Sequence, residues 1–87
     1  DSETSEITEN AAILIAIGAA GEIYMDGRRI DVRQVKANVI RLIAENPQGS
    51  VVIQADVKST AEKIVAVMDE VREAGVVDIS IASEPNF

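Results

Sequence analysis

The sequence predicts an α/β fold of the α+β two-layer sandwich type: a mixed four-stranded sheet in the chain order ββαβαβ, with two helices on one face. Three observations predict it. Four short runs, Ala11–Ile17, Glu22–Asp26, Ser50–Ala55 and Val77–Ala82, are apolar or alternating and bounded by turn or polar residues. Two intervening segments carry apolar residues at helical spacing behind capping residues. The last strand–helix–strand unit has the length of a parallel crossover, right-handed by the general rule.

Each element has its own justification. Ala11–Ile17 is a continuous apolar run too short for a globular helix, and its branched residues favour a strand covered on both faces. Gly18 to Gly21 form a turn, and Glu22–Asp26 alternates with Ile23 and Met25 on one face, so the two strands form a hairpin. Asp26-Gly27 is a tight-turn signal. Asp31 and Gln34 have capping-box spacing and open the first helix, whose buried stripe is Val32, Val35, Val39, Leu42 and Ile43; Pro47 and Gly49 end it. Ser50–Ala55 is an interior strand. Ser59 and Glu62 form a second box ahead of a helix with the stripe Ala61, Ile64, Val65, Met68 and Val71. Gly75 ends that helix in the left-handed cap position, with Val76 as its apolar contact. In the closing strand Val77, Ile79 and Ile81 share a face, and Pro85 limits its continuation.

Composition narrows function. The 87 residues suffice for one domain with a modest core, here residues 11–85. Residues 1–10 are polar and acidic and read as a disordered linker. Of the formal charge of −7, four negative charges lie on Asp1, Glu3, Glu6 and Glu9, leaving −3 for the rest. That sign repels a phosphate backbone, and with aromatics at 2% there are no platforms for base stacking, so nucleic acid is excluded as a partner. Cys and His are both absent, which removes thiol nucleophiles, imidazole bases, disulfides and the usual zinc sets. No cofactor, metal or catalytic site is expected, and the chain does not read as an enzyme.

Candidate single sites are weighed against structural roles. Asp56 lies between a strand and a helix, where carboxylates bind ligands, yet it also suits a turn. Glu62, Asp69, Glu70 and Glu73 populate the outer side of the second helix without a loop that gathers oxygens round one cation. Gly18 and Gly21 lead to a strand rather than a helix, so they form no phosphate loop. Arg28, Arg29, Arg33 and Lys36 form a local basic patch within an acidic chain. It is a candidate contact for an anionic partner such as a cell-wall carboxylate, weighed against the more economical reading of a solubilising rim. The closing segment, Val77, Asp78, Ile79, Ser80, Ile81, Ala82 and Ser83, is a candidate edge strand for pairing with a partner or a second copy.

An ordered set of short motifs points to a family. A strand ends in Ala55-Asp56, a helix carries Val67-Met68-Asp69 and then Ala74-Gly75, and a last strand is followed by Glu84-Pro85. Together with the upstream stretch from Gly21 to Val39, the chain from residue 11 to 85 resembles the periplasmic domains of the ExbD/TolR family. It departs from the family at Val57, where a Lys is common, and at Ala61, where an aromatic is common.

The resemblance implies a single-pass bacterial inner-membrane protein with this domain in the periplasm and a transmembrane helix upstream that holds the proton-carrying aspartate. It further implies an ExbB- or TolQ-like channel as partner, contact with a TonB-like protein or with peptidoglycan, and a homodimer that is weak in the isolated domain. The expected function is to couple proton-motive force to TonB-dependent outer-membrane transport. The alternatives are a TolR-like, peptidoglycan-contacting component of the Tol-Pal envelope system and an ACT- or ferredoxin-like ligand-binding domain. The last begins strand–helix–strand, whereas a hairpin comes first here. An acylphosphatase-like enzyme would need an anion loop leading into a helix, which is not found.

Overall fold

A computed structural model describes residues 12–47 and 49–84. Residues 1–11 and 85–87 lie outside it, so the expected linker over residues 1–10 and the domain limits fall on residues that are not described. Among the described residues there are five strands rather than four: β1 (Ala12–Ile17), β2 (Ile23–Met25), β3 (Arg28–Ile30), β4 (Ser50–Asp56) and β5 (Ile79–Glu84). Their order across the sheet is β3-β2-β1-β4-β5. The helices are α1 (Val35–Glu45), entered through a 3₁₀ turn at Val32–Gln34, and α2 (Ala61–Glu73). The chain order is therefore βββαβαβ, which corrects the four-stranded expectation.

The added strand is β3. Asp26 and Gly27 both have positive φ (54° and 72°), the conformation of a two-residue hairpin turn whose twist matches the flanking strands. Gly takes it freely and Asp tolerates it. The turn sets Met25 opposite Arg28 and Ile23 opposite Ile30. Arg28-Arg29-Ile30 has no apolar alternation to announce a strand; turn geometry and pairing make it one.

The antiparallel β1–β2 hairpin and the parallel β4–β5 pairing of the last strand–helix–strand unit are as expected, and the parallel β1–β4 pairing joins them into one sheet. Residues 12–25 thus form strands rather than a helix, which disfavours the ferredoxin-like alternative. Period-two alternation sends Ile15, Ile17, Ile23, Met25, Val51, Ile53 and Ala55 into the core beneath the helices. Val35 and Val39 of α1 and Val67 and Val71 of α2 meet them, with Val76 closing the end.

The opposite face carries no helix among the described residues. Leu14 is 45% exposed and Tyr24 37% exposed. The continuous apolar runs of β1 and β4 thus correspond to strands central in the sheet but layered on one face only, not on both.

Both helix starts carry caps. Asp31 accepts from the Arg33 amide at 2.9 Å while Gln34 accepts from the Asp31 amide at 2.8 Å, completing the predicted box, here on the 3₁₀ turn. The second cap is Thr60, not Ser59: its side chain accepts from the Lys63 amide at 3.2 Å. Ser59 is held in the preceding turn, donating both its amide and its hydroxyl to the Asp56 carbonyl at 2.8 Å.

The buried stripe of α2 is also rotated from expectation. Val67 is fully buried, Ile64 and Met68 pack at the margin, and Val65 is 53% exposed. At the helix end, Gly75 (φ 98°) and Val76 make the two Schellman bonds, to the Arg72 carbonyl at 2.9 Å and the Val71 carbonyl at 3.4 Å. Val76 packs in the same core as Val71, as expected of the cap.

Candidate interaction edge

β5 is an outer strand of the sheet, paired on one side with β4 and on the other with no described residue. It begins at Ile79, two residues later than the sequence suggests. Val77 lies in the approach from the helix cap and is 96% exposed, so it shares no face with Ile79 and Ile81.

The ladder fixes which amides point outward. The Val51 amide donates to the Asp78 carbonyl at 3.1 Å, and Val51 stands opposite Ile79. In a parallel ladder the Val51 carbonyl then accepts from Ser80, and the pattern repeats every second residue. Asp78, Ser80 and Ala82 thus turn their main-chain groups toward β4, while Ile79, Ile81 and Ser83 present theirs at the free edge. The side chains divide differently. Ile79 packs against the core, Ile81 on the helix side is 48% exposed at the rim, and Ser80 lies exposed on the open face. The edge is therefore largely uncharged along its length, without the Lys or Pro that usually blunts one.

The basic residues do not form one patch. Arg28 and Arg29 are on β3, the opposite edge, and alternate between the two faces of the sheet. The Arg33 side chain returns to Asp31 at 3.3 Å. Lys36 on α1 reaches across to Glu73 on α2 at 3.7 Å, which ties the helices together at the surface. Donation by the Arg33 amide and guanidinium holds the Asp31 carboxyl below its ordinary value of 3.8.

The other singled-out residues have local roles. Asp56 accepts from the Lys58 amide at 2.8 Å, a turn bond to its own backbone. Gly18 and Gly21 close the β1–β2 loop, Gly18 donating to the Glu22 carbonyl at 2.8 Å and Gly21 to the Gly18 carbonyl at 3.0 Å. Of the α2 carboxylates, Glu73 is the one paired with a cation among the described residues. Among the described residues, no three His, Cys, Asp or Glu side chains are grouped to hold a metal ion. Nor is any helix among them long and apolar enough to cross a membrane.

The described residues thus form a small mixed sheet with both helices on one face and β5 at an outer edge. The chain belongs to the family described as biopolymer transport protein ExbD/TolR, whose model matches residues 1–86. It is 42% identical over 76 residues to the biopolymer transport protein exbD2 of Vibrio cholerae serotype O1 (strain ATCC 39315 / El Tor Inaba N16961). That alignment covers 87% of this chain but 57% of the relative, so the chain spans little more than half the length of the curated relative it matches.

Proposed function

We propose that this chain is the periplasmic domain of an ExbD-like inner-membrane accessory protein that couples proton-motive force to TonB-dependent outer-membrane transport. It acts as a docking element rather than an enzyme. The family model spans both ExbD and TolR, and the similarity to a protein named exbD2 is what supports the ExbD reading. In this reading a transmembrane helix upstream joins the domain to an ExbB-like channel.

The observation that carries the mechanism is the outward row of main-chain groups at Ile79, Ile81 and Ser83. An extended segment, from a TonB-like transducer or from a second copy, adds there as a sixth strand. The membrane tether would raise the local concentration of both partners, so the contact in the isolated domain is weak.

The test is an amide-resolved NMR titration with the periplasmic segment of a TonB-like protein, run beside a dilution series of the free domain. Perturbation should centre on Ile79, Ile81 and Ser83 and disappear in an Ile81→Pro variant, which lacks an outward amide. Shifts confined to Arg33 and Lys36 would place the contact on the helix layer and refute the edge mechanism.

A further inference from the structure

Besides the two outer edges, a short unpaired stretch lies inside the sheet, and it does not depend on the reading of β5. β1 spans Ala12–Ile17, but β2 pairs only with Ile15, Ala16 and Ile17. Below Met25 the chain turns away at Asp26-Gly27 into β3. On that side Ala12, Ile13 and Leu14 have no strand partner among the described residues, leaving a notch in line with β2. Two ladders agree on what faces it. Gly18 donates to the Glu22 carbonyl, so the even-numbered residues of β1 turn their main-chain groups toward β2. The parallel register with β4 engages the odd-numbered ones. The N–H and C=O groups of Ala12 and Leu14 therefore point into the notch, and no ladder or turn bond among the described residues reaches them.

The notch opens into a groove of about 590 Å³ between the sheet and the end of α1. Ile13, Met25 and Leu42 make it apolar on the helix side, and Asp26 and Glu45 line it with carboxylates. No Lys or Arg lines it, and neither carboxylate is in an ion pair among the described residues. We propose that this notch binds an extended segment of another protein bearing a Lys or Arg between two apolar residues. Paired antiparallel to β1, the residue opposite Ile13 points to the helix side. There its alkyl stem lies along Ile13 and Leu42 and its cation meets Glu45. Its apolar neighbours fall on the open face, beside Leu14 and Tyr24. Charge argues against the chain's own residues 1–10 as occupant, since they carry four carboxylates and no cation.

The experiment is an NMR titration of the whole chain with three end-capped heptapeptides, Gly-Ser-Val-X-Val-Ser-Gly, where X is Lys, Leu or Glu. The Lys peptide should shift the amides of Ala12, Leu14, Glu45 and Asn46 saturably. It should bind about three- to tenfold more tightly than the Glu peptide at low salt, as expected of an exposed ion pair. Glu45→Gln, a change at an exposed position, should erase most of that preference while leaving the Leu peptide's affinity unchanged. Equal affinity for the Lys and Glu peptides would overturn the proposal, as would saturable shifts at Ile79 and Ile81 instead, or no saturable binding at all. Two results without peptide would do the same by naming another occupant. Nuclear Overhauser contacts from Ile7 to Leu42 or Tyr24 would show the chain's own segment in the groove, and concentration-dependent shifts at Ala12 and Leu14 would show a second copy.

Discussion

Replacing Ser80 by proline should cost markedly more stability than replacing Ile81 by proline, although the residues are neighbours on one edge strand. The Ser80 amide points to the Val51 carbonyl in the β4–β5 ladder. Proline there removes one ladder bond, worth about 1 kcal/mol, and leaves an interior carbonyl unpaired for about 1–3 kcal/mol more. The Ser80 side chain is exposed and adds little, so the total is about 2–4 kcal/mol, a large part of the ~5–15 kcal/mol that holds a small domain. Ile81 differs on each count. Its amide points outward, so no ladder bond is lost, and its side chain is already 48% exposed. About half of the ~1.5–3 kcal/mol of a buried Ile is at stake, and the proline ring retains some of it, leaving a loss near ~1 kcal/mol. Urea denaturation of the two variants measures the difference. Midpoints in the reverse order, or equal ones, would mean that the alternation assigned to β5 is wrong, and the outward edge would then consist of Asp78, Ser80 and Ala82.

Three further outcomes follow from the packing and caps. Val67→Ala, at a fully buried position, should cost about 1–3 kcal/mol in a denaturation series, whereas Val65→Ala on the exposed side of α2 should stay within about 0.5 kcal/mol. Thr60→Ala should lower stability by about 1 kcal/mol and fray the start of α2 in hydrogen exchange, with Ser59→Ala costing less because its hydroxyl serves a turn rather than a cap. The Asp31 carboxyl, held below its ordinary value by the Arg33 amide and side chain, contributes stability that is complete above the ordinary carboxylate range and is lost as pH falls through the lowered folded value. Asp31→Asn has no such proton to take up, so its acid-unfolding curve should approach that of the unmodified chain as pH falls, the carboxyl being followed directly by NMR titration.

How far the sequence carries depends on whether local signals are unique. Asp26-Gly27, Gly75-Val76 and the Asp31/Gln34 box each admit one economical geometry, and each is found where its residues place it. The face of α2 was ambiguous because Ile64, Val65, Val67 and Met68 are all apolar, so two overlapping stripes satisfy helical periodicity. Packing against the sheet selects the one containing Val67. Thr60 displaced Ser59 for a similar reason: either hydroxyl can cap, and the Asp56 turn had already engaged Ser59. β3 was not legible because an edge strand of two arginines and one Ile lacks alternation, and the turn before it supplies the evidence. That the closing strand lies at an edge of the sheet was legible from its place at the end of the chain, but the outward direction of Ile79 and Ile81 depends on inter-strand register, which no property of residues 77–83 encodes alone.

The two outer edges of the sheet are treated differently, and energetics connects that difference to function. β3 is three residues long and carries Arg28 and Arg29, features that discourage another strand from pairing. β5 is six residues long, about 20 Å of strand, and has no charged residue from Ile79 to Ser83. A strand left so open is an aggregation hazard unless something is meant to occupy it. Its three outward residues can form up to six main-chain hydrogen bonds, worth about 3–9 kcal/mol net at 0.5–1.5 kcal/mol each. Bringing two free molecules together costs about 4–15 kcal/mol, so the contact hardly persists between separate chains. Tethering both partners to one membrane removes much of that cost without changing a contact, because the second encounter becomes local. On the proposed reading, an edge of this size is therefore suited to pairing that forms and releases while both partners are tethered, not to a permanent interface. Fusing the domain to a partner segment through a flexible linker should convert weak, fast-exchanging association into persistent pairing at Ile79 and Ile81, and lengthening that linker should weaken it gradually. Pairing that is already tight between the separate, untethered molecules would contradict this account, because it would require side-chain contacts that the open rim around Ile81 does not offer.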